Sequence, residues 1–202
     1  MVVLDKNNLR VNHMKHRIEQ ILKESITVKQ ELMAQQAANI ERAAEIIISS
    51  LKKGGKVILF GNGGSAADSQ HIAAEFIGRF KKERKALAAI ALTTNTSVLT
   101  AIANDYGYQQ VFKRQIEALA DKNDVAIAIS TSGNAENVIE AVKMANKINL
   151  PTIALTGCNG GQLSKIAKLS IIVPSQSTPR IQESHIAIGH ILCELAEEVY
   201  EQ

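Results

Sequence analysis

Between positions 13 and 53 the chain has neither Pro nor Gly, and its apolar residues recur at helical spacing: Ile18, Leu22 and Ile26, then Met33, Ala37, Ile40, Ala44, Ile47 and Leu51. That spacing predicts one long helix, or two helices broken near Ile26-Thr27-Val28, stopped by Gly54-Gly55. Residues 1–12 are polar and read as loose. The apolar stripe is longer than one small sheet can cover. Burial against another subunit is the expected remedy, and packing within its own subunit is the alternative.

After Gly55 the period shortens. Short β-rich runs are predicted at 56–60, 87–92, 125–130, 152–156 and 169–173. Helical stretches lie between them at 65–80, 96–104 with 109–120, 135–147 and 161–167, and a last helix spans 179–200. Strand alternating with helix argues for a parallel sheet with helices on both faces and right-handed crossovers. The expected architecture is α/β: a three-layer α-β-α sandwich on a five-stranded parallel sheet, with an N-terminal helical extension. Residues 1–53 form the helical segment, assigned to oligomerisation, and 54–202 form the α/β domain.

Composition narrows the function classes. Aromatics make up 3% of the residues and Trp is absent, so Ala, Ile, Leu and Val must fill the core. Net charge is +3, from 23 basic and 20 acidic residues, which does not point to nucleic acid. The one basic cluster, Arg79-Phe80-Lys81-Lys82-Glu83-Arg84-Lys85, reads as a solvated loop or interface, or else as an attractor of anions. Cys158 and Cys193 are too few and too far apart for a disulfide framework and read as reduced thiols. Neither a signal peptide nor a membrane span is visible, so a cytoplasmic protein is expected.

Two serine-and-glycine turns stand where a buried strand gives way to a helix: Phe60-Gly61-Asn62-Gly63-Gly64-Ser65 and Ser130-Thr131-Ser132-Gly133-Asn134. A helix starting beyond such a turn aims N–H groups and partial positive charge at an anion. Hydroxyls of Ser65, Ser130, Thr131 and Ser132 add donors, and a sugar phosphate fits the pair of turns. His71 and Glu75 share one face of the predicted helix 65–80, and Gln182, Ile186 and His190 form a row on the last helix with His185 nearby. On spacing alone, the first pair reads as a surface hydrogen bond and the second as the wet edge of a packed helix. Asp68 reads as a helix-start or interface charge.

The two turns, together with Ala103-Asn104-Asp105-Tyr106-Gly107 and Arg180-Ile181-Gln182-Glu183, resemble the sugar isomerase (SIS) family over nearly the whole chain. The resemblance implies a flavodoxin-like SIS fold and an aldose–ketose isomerisation: sedoheptulose 7-phosphate to D-glycero-D-manno-heptose 7-phosphate through an enediol, towards bacterial lipopolysaccharide. It implies Glu75 as base and His190 as partner acid. His71, Glu75, Gln182 and His190 would be metal ligands, with zinc as the metal they suit best. Asn62, Gly63, Gly64, Ser65, Glu75, Thr94, Asn95 and Gln182 would hold the sugar, and Ser130, Thr131 and Ser132 the phosphate. A homotetramer with sites at subunit interfaces is implied, with no direct nucleic acid and no membrane. Asn95 stands where relatives commonly carry Asp, Ala135 where many carry Ser, and Pro179 where some carry Asp. The same resemblance extends to a non-catalytic adaptor that binds a replication initiator. The joint presence of Glu75, His190 and Ser132 favours the enzyme.

Overall fold

The computed structural model describes residues 6–200, with side chains from His13 onward. Helix α1 runs unbroken over Lys6–Lys52, so the residues 6–12 expected to be loose are helical, and 1–5 lie outside the described residues. The order continues β1 (Val57–Gly61), α2 (Gly64–Ile77), β2 (Ala89–Ala91), α3 (Thr96–Tyr106) and α4 (Lys113–Leu119). It then runs β3 (Val125–Ser130), α5 (Glu136–Lys147), β4 (Thr152–Thr156), α6 (Leu163–Ile166), β5 (Leu169–Ile172) and α7 (Thr178–Val199). All five predicted strands are present, β2 the shortest. The predicted helix 109–120 is split into a 3₁₀ turn at Tyr108–Gln110 and α4.

The five strands are parallel in the order β2-β1-β3-β4-β5. The order reverses between β1 and β3, the topological switch point where open α/β sheets bind ligands. Both serine-and-glycine turns leave the carboxyl ends of these two adjacent strands. Side chains alternate across the sheet as strand geometry requires. Leu59, Ile127, Ile129 and Leu155 face α1, α2 and α7, whereas Phe60, Ala126, Ala128 and Ala154 face α4, α5 and α6. The three alanines on the second face leave room for α5 to lie close to the strands.

The stripe on α1 divides. Ile40, Ala44, Ile47 and Leu51 of the stripe are buried in the core beneath α7 and β5, joined by Leu32 and Ala43, whereas the predicted Met33, at 68%, and Ala37 are exposed. Towards the amino end, Met14, Ile18, Leu22 and Ile26 are each more than half exposed, at 58%, 57%, 57% and 56%. Packing within the subunit therefore accounts for the carboxyl half of the stripe only. Arg180 on α7 donates from Nη1 to the Ile21 carbonyl at 2.7 Å, fastening the two helices where the apolar cover ends.

His185 explains part of how α7 is seated. Its ring is buried, and Nε2 donates to the Thr156 carbonyl at 3.0 Å, where β4 ends. Burial lowers its pKa to about 4, against a smaller upward pull from that hydrogen bond. The folded chain thus holds the neutral ring, while the unfolded chain takes up a proton near pH 6.5. This contribution to stability is fully present above pH 6.5 and fades as pH falls towards 4. Urea unfolding should show stability about 3 kcal/mol lower at pH 4 than at pH 7 from this group. His185→Gln should flatten that part of the profile, and an unchanged profile would exclude His185 as its source.

Candidate active site

Helix α2 begins directly after the first turn, with Gly63 as its N-cap and no capping side chain. About two turns further on, His71 and Glu75 lie on the same face, Nε2 to Oε1 at 3.1 Å. Helix α7 crosses this face closely because Gly189 has no side chain: a Cβ there would overlap Ile72 Cδ1. The next residue, His190, therefore reaches α2, and its Nε2 stands 3.4 Å from His71 Nε2. The two rings meet edge to face with centroids 5.0 Å apart, and Phe80 packs on the other flank of His190 at 5.3 Å. Two turns earlier on α7, the Gln182 amide lies over the first turn; a Cβ on Gly64 would sit 2.6 Å from its Nε2. The structure thus brings His71, Glu75 and His190 together and lays Gln182 against Gly64.

These donors suit a divalent metal in kind. Tetrahedral zinc with ligands at about 2.0–2.1 Å sets neighbouring donor atoms about 3.3 Å apart. The His71–Glu75 and His71–His190 separations, 3.1 and 3.4 Å, match that edge length. Among the described residues no three His, Cys, Asp or Glu side chains are already gathered around one point that could hold an ion. The fit therefore lies in donor chemistry and in these two edges, while Gln182 is placed against Gly64. On the same face of α2, burial raises the Asp68 carboxyl above its ordinary pKa, opposed by the His71 charge, and its Oδ2 has no hydrogen-bond partner.

The second turn is a backbone cup held from below. Gly157 N donates to the Thr131 carbonyl at 3.0 Å, and Leu163 N to the Gly133 carbonyl at 2.9 Å. Asn134 ties the rim, with N donating to Ser132 Oγ at 3.2 Å and Oδ1 accepting from Gln162 N at 3.0 Å. Helix α5 follows with Ala135 as N-cap, which supplies no side-chain cap bond to the first-turn N–H groups. A helix start left uncapped by protein is suited to an anion. Ser132 is exposed on the rim, Thr131 is half-buried, and Ser130 and Ser65 are buried.

Asn62 joins the two turns. Its Nδ2 donates to Asn137 Oδ1 at 2.8 Å, Asn137 Nδ2 donates back at 2.9 Å, and Tyr108 Oη donates to Asn62 Oδ1 at 3.2 Å. Asn137 and Tyr108 were not among the predicted site residues. A polar residue on the otherwise apolar face of α5 was the available signal for Asn137. At the end of β2, Thr94 Oγ1 donates to the Ala91 carbonyl at 3.2 Å. Asn95 caps α3, its Oδ1 accepting from Val98 N at 3.0 Å. The basic cluster 79–85 is not a uniformly solvated loop: the Arg84 side chain is fully buried, while Lys81 pairs with Glu194 at 2.6 Å on the surface.

An uncapped helix at one carboxyl end of the sheet and a carboxylate–imidazole cluster on the helix that follows the next are suited to an anionic sugar derivative, and comparison with known proteins gives the family. The SIS domain family profile matches residues 20–157, and the chain belongs to this family. Within it the chain falls among the phosphoheptose isomerases. It is 56% identical over 186 residues to phosphoheptose isomerase of Aquifex aeolicus, covering 92% of this chain and 97% of that protein. The solved phosphoheptose isomerase of Neisseria gonorrhoeae matches with a TM-score of 0.87 at 45% identity, over 92% of this chain and 99% of that one. That of Francisella tularensis matches with a TM-score of 0.88 at 36% identity, over 92% and 98%.

Proposed function

We propose that this chain interconverts sedoheptulose 7-phosphate and D-glycero-D-manno-heptose 7-phosphate, the step that opens heptose supply for bacterial lipopolysaccharide. The observation that carries the reading is the meeting of Glu75, His71 and His190 from two helices, in a fold whose adjacent strand end carries the uncapped α5 start after Ser130–Ser132. The cup and the α5 start hold the phosphate and so fix the distance to the other end of the sugar. Glu75 takes the proton from C1 of the ketose while the C2 oxygen gains one with His190 as donor, giving the enediol. The O1 proton then passes to His190, which gave its own to O2, and Glu75 returns its proton to C2, so atoms and charge balance and both groups end as they began. Positioned acid–base groups of this kind each supply about 10²–10⁴-fold.

His71, Glu75, Gln182 and His190 would hold one zinc per subunit; a group on the metal is neither a good base nor a proton donor, so Glu75 and His190 would have to shift off it during turnover. A zinc held there would supply Lewis-acid polarisation of the substrate carbonyl. The open apolar row Met14, Ile18, Leu22 and Ile26 supports a homotetramer assembled through residues 1–53, with a neighbouring subunit closing a site in which His71 is 49% exposed. Among the described residues no helix is long and apolar enough to cross a membrane, and the reading places the enzyme in the cytoplasm.

The direct test is incubation with sedoheptulose 7-phosphate before and after chelation. The aldose phosphate should form. Chelator should lower the rate at least about tenfold, and added zinc should restore it. No aldose phosphate under any metal condition would overturn the reading, whereas full activity after verified metal removal would overturn the zinc assignment alone.

A further inference from the structure

Helix α2 ends at Ile77, and the chain must return to β2 through an irregular segment. Its last carbonyls need donors, and a buried Arg supplies them. Arg84 Nη2 donates to the Glu75 carbonyl at 2.8 Å. Nη1 lies 2.9 Å from the Phe76 carbonyl, 3.3 Å from that of Gly78 and 3.0 Å from that of Lys85. The counter-charge comes from α7: Glu197 Oε1 lies 3.3 Å from Arg84 Nε, an ion pair without hydrogen-bond alignment. The Glu197 oxygens accept three further bonds, from the backbone N–H groups of Phe80, Lys81 and Lys82 at 2.9, 2.8 and 2.9 Å. Burial alone would raise the Glu197 carboxyl, but these donors and Arg84 outweigh it and hold it below its ordinary pKa.

The pair therefore binds three things at once: the Glu75 backbone, the turn that sets Phe80 on His190, and the half of α7 that follows His190. A buried ion pair is weak evidence for stability, because apolar residues of similar volume often replace one without loss. Its geometric reach is more informative. Resting on the isomerase reading above, we propose that Arg84 and Glu197 are positioning residues that set the separation of Glu75 and His190, controlling turnover without touching substrate.

The test compares Arg84→Met/Glu197→Leu and Arg84→Lys with the wild-type protein in the sedoheptulose 7-phosphate assay. The double variant removes the partners of four carbonyls and three N–H groups, so it should unfold at a lower urea concentration than wild type, and activity is therefore read per folded molecule. Its kcat per folded molecule should fall about 10–100-fold with KM within about threefold, as expected when reacting groups shift by a fraction of an ångström to an ångström. Arg84→Lys keeps the charge and loses the fork, and should show the same split. It also decides the matter should the double variant fail to fold. A wild-type kcat per folded molecule in either folded variant, or a change confined to KM, would overturn the proposal. A wild-type protein with no turnover would instead overturn the reading beneath it.

Discussion

Glu75→Gln should lower kcat by about 10²–10⁴-fold while substrate binding stays within about tenfold. The amide keeps the shape of the side chain and an oxygen that can still face His71, now 3.1 Å away, but it cannot accept a carbon-bound proton. Binding is spared because the phosphate cup is built on another strand end: its bonds run from Gly157 and Leu163 to Thr131 and Gly133, and none involves α2. Steady-state kinetics with calorimetric titration of the substrate separates the two quantities. Retained turnover would remove Glu75 from the base role. Equal loss of kcat and binding would mean that the carboxylate holds the sugar rather than working on it.

The second large effect is expected at Gly133. Its φ of +66° is one that side chains rarely adopt, and a Cβ there would overlap the backbone carbonyl oxygen of Gly160. Gly133→Ala should therefore push the cup off the loop behind it, lowering stability by about 2 kcal/mol or more and raising KM at least about tenfold. Gly63→Ala is the internal control. Gly63 also has a positive φ, +55°, with ψ −121°, but nothing lies within 4 Å of its Cβ position, so only backbone strain of about 1–3 kcal/mol applies. Urea midpoints of both variants measure the difference. Equal destabilisation would show that the contact with Gly160 contributes nothing.

Much of this architecture was legible in the chain because its signals are local. Strand-length apolar runs ending in glycine turns mark β1 and β3 within a residue, and His71 and Glu75 share a face by helical spacing alone. What spacing could not supply were meetings between distant segments. His71 and His190 are 119 positions apart, and their contact depends on Gly189 admitting Ile72. Arg84 looked like one charge among several in a basic run; only the carbonyls at the end of α2 and the carboxylate of Glu197 explain its burial. The division of the α1 stripe was equally hidden. A 3.6-residue period reports that a face is apolar, not what covers it. Asn137 escaped because an amide near a helix start usually reads as local capping, whereas here it reaches to Asn62.

The crossing of α7 over α2 ties the candidate chemistry to the packing. The helix that carries His190 also supplies Ile181, Ile188, Leu192 and Ala196 to the core against the sheet and α1. His190 therefore keeps its place beside His71 only while that whole helix stays docked, so loss of core packing along α7 and loss of the imidazole contact go together.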